Sequence, residues 1–191
     1  MVDNYFNEEI YEHLEVAKAT QKACKASFKL LLSACTKSIK NDGKIIFFGN
    51  GGSAADSQHL ATELCIRYKA NRPPISAIAL TTDSSALTAA GNDLGFEECF
   101  SRQLAAIGRA GDVALGISTS GESENIIRAL KQARTMNIIA TGFSGNSGGR
   151  MAQLADPLLI VPSTTTARIQ EMHIMLGQML CGALEVKLGL V

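Results

Sequence analysis

The chain has 191 residues, and its 18 basic and 18 acidic side chains give a formal net charge of zero. A hydrophobic content of 46% with 5% aromatics suits a single α/β domain spanning 1–191 and excludes a disordered polypeptide. Charge balance without a basic stripe excludes nucleic acid as a partner, and no apolar run reaches the length needed to cross a membrane. The five cysteines, Cys24, Cys35, Cys65, Cys99 and Cys181, are scattered without a CxxC pair, which argues against a disulfide framework or a cysteine zinc site. The stretch from Met1 to Glu12 is polar and acidic, unlike a signal peptide, so the chain reads as soluble and cytoplasmic.

From about Asn4 to Lys40 the apolar residues Ile10, Leu14, Ala17, Phe28, Leu31, Leu32, Cys35 and Ile39 keep helical spacing. The spacing predicts a long helical segment, with a break near Thr20, that packs on the sheet or on a partner subunit. Lys44 to Phe48 is a first buried strand running into Gly49-Asn50-Gly51-Gly52-Ser53, and a helix follows from Ala54 to about Tyr68. A second strand covers Ile75 to Leu80. Gly91 to Gly95, with Asn92 and Asp93 inside it, reads as a glycine-flanked loop before a helix from Glu97 to Gly108. Further strands are expected over Val113 to Ile117, Ile138 to Phe143 and Leu158 to Pro162, and helices over Glu124 to Ala133 and about Ala167 to Leu188. Continuous apolar strands alternating with helices predict a mainly parallel sheet covered on both faces, with ligands beyond its carboxyl ends. The last helix is apolar around nearly its whole circumference, which predicts burial on one side by the sheet and on the other by a second subunit.

The most informative stretch is Ser118-Thr119-Ser120-Gly121-Glu122-Ser123, between a strand and a helix. The first N–H groups of a helix lack internal partners, and its dipole favours an anion there. Ser118, Thr119, Ser120 and Ser123 add four hydroxyls within six residues, more than an ordinary N-cap requires, so the loop fits a phosphomonoester held by neutral donors. The Asn50-Gly51-Gly52-Ser53 loop matches neither GxGxxG nor the Walker A pattern, so no nucleotide cofactor is expected. His59 and Glu63, four apart on one helix face, fit a metal pair, an acid/base pair or a plain hydrogen bond, and Glu63 with Arg67 has the spacing of an ion pair. Asn92 and Asp93 fit sugar hydroxyls or a turn. Gln170 and Gln178 lie on the last helix near Ile174 and Gly177, and His173 reads best as a satisfied core histidine.

Together, Gly49 through His59, Glu63 with Arg67-Tyr68, Gly91-Asn92-Asp93, Gly116 through Gly121 with Ser123, and Arg168 through His173 resemble the SIS (sugar isomerase) domain proteins, and within them the phosphoheptose isomerases. The resemblance implies a three-layer αβα sandwich with a five-stranded parallel sheet, assembled as a homotetramer with active sites between subunits. It implies conversion of sedoheptulose 7-phosphate to D-glycero-D-manno-heptose 7-phosphate through an enediol, toward the heptose of lipopolysaccharide or capsule. Carried over by position, Ser118, Thr119, Ser120 and Ser123 hold the phosphate. Asn50, Gly51, Gly52, Ser53, Asn92, Asp93 and Gln170 line the sugar, and Glu63 is the base. His59, Glu63, Gln170 and the position of Gln178 match zinc ligands, one ion per subunit, in members that bind zinc. The family pattern has a histidine where this chain has Gln178, both as second acid/base group and as zinc ligand. An amide exchanges no proton near neutrality and is a poor zinc ligand, so the change weakens zinc and leaves His59, His173 or water to stand in. The alternative is a non-catalytic SIS protein of the DnaA initiator-associating type, which binds a protein partner. Retention of Glu63 favours the isomerase.

Overall fold

The computed structural model describes residues 2–191. Helix α1 (Val2–Lys40) leads into β1 (Ile45–Gly49) and α2 (Gly52–Cys65), followed by β2 (Ala77–Ala79), α3 (Ser84–Asp93) and α4 (Cys99–Ile107). The chain continues through β3 (Val113–Ser118), α5 (Glu124–Thr135), β4 (Ile139–Gly145), β5 (Leu158–Val161) and α6 (Thr166–Lys187). The five strands are all parallel in the order β2-β1-β3-β4-β5. Order reverses between β1 and β3, so the loops leaving their carboxyl ends flank the crevice where ligands bind in open α/β sheets.

Alternation along each strand divides the core in two. Ile45, Phe47, Leu115 and Phe143 point to the face covered by α1, α2 and α6, where they meet Leu31, Leu60, Met172 and Leu180. Ile46, Phe48 and Ala114 point to the other face, against Phe100, Leu104, Ile126 and Leu130 of α4 and α5. These layers are the αβα sandwich expected from the sequence. No helix is long and apolar enough to cross a membrane among the described residues.

Two local expectations are corrected, and a third feature is left open by a single chain. Helix α1 runs unbroken through Thr20, which is buried at 1% exposure because α1 packs on the sheet edge and α6 at that level. Asn92 and Asp93 form the last turn of α3, not a loop. Asp83 caps the start of α3 through Ala86 N–H, Leu94 N–H still reaches Ala90 O at 3.0 Å, and the helix stops only at Gly95, with φ 96°. The second face of α6 is uncovered within one chain. Met179 is 48% exposed, and Met175 and Met179 line an apolar groove of about 650 Å³ against Phe28 and Leu32 of α1.

Candidate active site

Two features, set apart along the molecule, carry the polar chemistry. The first lies beyond the carboxyl ends of β1 and β3. Ser118 Oγ is 3.5 Å from Ser120 Oγ and 3.3 Å from Ser123 Oγ, and Gly121 N–H donates to Ser118 Oγ at 3.2 Å. Thr119 is half-buried, and its carbonyl accepts Gly145 N–H, which anchors the loop to the end of β4. Ser123 takes the N-cap position of α5 with extended backbone, yet its hydroxyl makes no capping bond. The hydroxyls therefore turn toward one another around the open N-terminus of a twelve-residue helix. Gly121 is required at its position: its φ is +70°, and an added Cβ would lie 2.1 Å from Gly148 O.

The loop after β1 closes the same crevice. Gly51 has φ 54° and ψ −121° and starts α2 without a side-chain cap, and Gly52 sits so close to Gln170 of α6 that a Cβ would meet its amide nitrogen at 2.8 Å. Gln170 is thus brought to the crevice. Ser53 is not: at 3% exposure it is packed beneath Gly49, so only its backbone is at hand. Asn50 is held by Asn125 through two reciprocal amide hydrogen bonds of 2.9 and 2.8 Å. Asn92 and Asp93 are exposed on α3 and bond to each other at 2.7 Å.

The second feature is the His59–Glu63 pair on α2, with Nε2 and Oε1 2.9 Å apart and side chains 48% and 19% exposed. An ionised carboxylate accepts only, so the imidazole N–H donates and fixes the carboxylate's orientation. His59 takes the place expected of Arg67, which makes no ion pair with Glu63 among the described residues. Glu63 lies near the end of α2 toward the amino ends of the strands, where Ile75 N–H donates to Leu64 O just before β2. Eleven residues of helix separate it from Gly52, roughly 16 Å of rise, so Glu63 stands far from the loop that starts its own helix. Gln178 is half-buried and follows Gly177, whose Cα is pressed on Leu60 in the middle of α2.

Arg72 holds this end of α2 in place. Its side chain is fully buried, and it donates to Glu63 O at 2.9 Å, Leu64 O at 2.7 Å and Glu185 Oε1 at 2.8 Å. Arg72 and Asn125 were not singled out from the sequence. Asn125 had a legible signal, a lone amide on the inward face of a helix otherwise lined by Ile126, Ala129 and Leu130. Arg72, in a proline loop, had none.

His173 is removed from the chemistry. It is fully buried, its Nε2 is 3.1 Å from Ser144 O, and it packs on the Phe143 ring. Burial pushes its pKa down to about 4 from 6.5, the bond to the Ser144 carbonyl opposing. Between those values the unfolded chain binds a proton that the folded chain does not. This residue's contribution to stability is therefore complete above pH 6.5 and is lost as pH falls toward 4, by about 3 kcal/mol in all. Burial raises the half-buried Asp56 carboxyl to about 6, which acts in the opposite sense. Urea unfolding of the wild type and His173→Met between pH 7 and 4.5 isolates the histidine: the wild type should lose stability faster with acid, and parallel profiles would refute the assignment.

Zinc is tested by the donors themselves. The four positions assigned to it supply one imidazole, one carboxylate already bonded to that imidazole, and two neutral amides. No group of three or more His, Cys, Asp or Glu side chains is placed to hold a metal among the described residues. Structural and catalytic zinc takes imidazole, thiolate or carboxylate donors, so this set does not fit it.

A parallel αβα sandwich with serine hydroxyls gathered at a helix N-terminus beside its switch point is the arrangement of a sugar isomerase type domain. Comparison with known proteins agrees: the SIS domain family profile matches residues 5–145. The chain is 56% identical over 181 residues to the phosphoheptose isomerase of Paramagnetospirillum magneticum, covering 95% of this chain and 94% of the relative. It is 51% identical over 180 residues to phosphoheptose isomerase 1 of Campylobacter jejuni, covering 93% and 95% respectively. The solved structure of phosphoheptose isomerase GmhA from Neisseria gonorrhoeae superposes with a TM-score of 0.89 at 39% identity, covering 97% of this chain and all of that one. That of a phosphoheptose isomerase from Francisella tularensis gives 0.93 at 32% identity, covering 97% and 99%. The chain belongs to the SIS domain family, among its phosphoheptose isomerases, and is an enzyme. Nothing among these relatives supports the partner-binding alternative.

Proposed function

We propose that the protein interconverts sedoheptulose 7-phosphate and D-glycero-D-manno-heptose 7-phosphate in the cytoplasm, toward the heptose of lipopolysaccharide or capsule. The observation that carries this reading is the hydroxyl cradle on the α5 N-terminus, in a chain that also retains a carboxylate oriented by an imidazole 2.9 Å away. Ser118, Thr119, Ser120 and Ser123 hold the phosphate, with the first N–H groups of α5. Asn50, the backbone of Gly51 to Ser53, Asn92, Asp93 and Gln170 line the sugar. Glu63 takes a proton from C1. The C–H electron pair becomes the C1–C2 double bond of the enediol as the C2 oxygen gains a proton. The proton on Glu63 then returns to C2, and loss of the O1 proton leaves the aldehyde. Gln178 donates an N–H to the reacting oxygens but exchanges no proton with them, so the O1-to-O2 transfer falls to His59 or water.

The roughly 16 Å of helix between Glu63 and Gly52 supports a site built from two subunits, in a homotetramer with sites between chains. The uncovered apolar stripe of α1, with Tyr5, Phe6, Ile10, Tyr11 and Leu14 all at least 48% exposed, supports such an assembly. Light scattering should give four times the 20.3 kDa chain mass, and an active monomer would overturn the shared site. The reaction itself is tested by turnover of sedoheptulose 7-phosphate with purified protein. No turnover, with the sugar phosphate still raising the melting temperature, would leave a binding protein in place of an enzyme.

A further inference from the structure

Asn125 is buried at 3% exposure, and the reading of the site above gives it no part. Its hydrogen bonds can be assigned in sequence. Ile126 N–H meets its side chain at 3.0 Å, so the atom there must be the oxygen, Oδ1. That oxygen also accepts from Asn50 Nδ2 at 2.9 Å, so the Asn50 atom facing it is the amide nitrogen. Asn125 Nδ2 then donates to Asn50 Oδ1 at 2.8 Å and to Cys99 Sγ at 3.5 Å. Every donor and acceptor of Asn125 is thus used within the protein. Asn50 has used only one N–H and one lone pair, and half-buried at the rim of the crevice it retains one of each.

We propose that Asn125 is a positioning residue that clamps the Asn50 amide in one orientation, so that its remaining N–H is held toward a hydroxyl oxygen of the sugar chain. The amide edge that presents donor and acceptor side by side is spent on Asn125, so the remaining N–H and the remaining lone pair, which diverge on opposite flanks of the amide, are each fixed in direction. The clamp also ties the loop after β1 to the first turn of α5, which sets the spacing between the sugar-binding amide and the phosphate cradle. Loss of the clamp frees the Asn50 side chain to rotate and is felt by the sugar, while the Ser118, Ser120 and Ser123 hydroxyls remain in place for phosphate. This inference rests on the assignment of the crevice to a sugar phosphate.

Calorimetry on proteins carrying Glu63→Gln, which keeps the sugar phosphate unconverted, tests it with two ligands, sedoheptulose 7-phosphate and inorganic phosphate. Asn125→Leu should weaken the sugar phosphate about tenfold, the effect of one to two hydrogen bonds. It should change inorganic phosphate by less than about twofold, and in an Asn50→Ala background it should add less than about twofold to either ligand. Asn125→Ser serves if the leucine variant does not fold. Parallel weakening of both ligands, persistence of the effect without Asn50, or a sugar phosphate that binds no tighter than phosphate would each overturn the proposal. Wild-type turnover, measured separately, reports on the isomerase reading: an inactive wild type with the ligand split intact refutes the reaction and leaves the clamp standing.

Discussion

Glu63→Gln is expected to lower turnover of sedoheptulose 7-phosphate by about 10²–10⁴-fold, the range that a positioned general base contributes. The substitution keeps the size of the side chain and its acceptor oxygen for the His59 N–H, 2.9 Å away in the wild type, so the local geometry is preserved. It removes only the ability to take up a proton. Gln178, an amide, and His173, buried on Ser144 O, do not replace it, and His59 is engaged as the N–H donor to the side chain at position 63. Affinity for inorganic phosphate should be unchanged, because the hydroxyl cradle involves neither Glu63 nor its helix end. A variant that retains turnover within about tenfold of the wild type would exclude Glu63 as the base.

Arg72→Met is expected to destabilise the fold by about 3–5 kcal/mol, the usual penalty for removing one partner of a buried ion pair. Arg72 is 0% and Glu185 3% exposed at the side chain, so the variant would leave a carboxylate without water or counter-charge. The backbone carbonyls of Glu63 and Leu64 would lose their donors as well, which loosens the turn of α2 that carries the base. In a chain of 191 residues the change corresponds to a fall in melting temperature of roughly 10 °C. The double variant Arg72→Met/Glu185→Leu should recover much of the loss, because an apolar pair of similar volume needs no counter-charge. Urea unfolding at one fixed protomer concentration measures both. A single-variant loss below about 1 kcal/mol would show that Glu185 finds water or another donor.

The first prediction rests on a pair four residues apart and the second on a pair 113 apart, and this separates what the sequence conveys from what it withholds. The strands were legible because each is a short, mainly apolar stretch of three to seven residues bounded by turn residues. The hydroxyl-rich loop before α5 was legible because its four hydroxyls, its glycine and the helix that follows are contiguous. Asn92 and Asp93 were misplaced because glycine marks turns on average, whereas Gly91 here continues α3 and the helix yields only where Gly95 takes a positive φ. His59 and Glu63 were legible as a pair because helix geometry brings residues four apart together.

The amino-acid sequence by itself determined the parallel αβα architecture, the hydroxyl-rich loop before α5 and the His59–Glu63 pair, since each follows from neighbours within a turn or two of backbone. Only the tertiary structure decided that Asn50 is gripped by Asn125 across 75 residues and that Arg72 meets Glu185 across 113. It also decided that Glu63 stands a helix length from its own cradle. The physical reason is range: periodicity and capping act along the chain, whereas a buried amide or guanidinium is satisfied by whichever partner the packing of the two helical layers delivers to it.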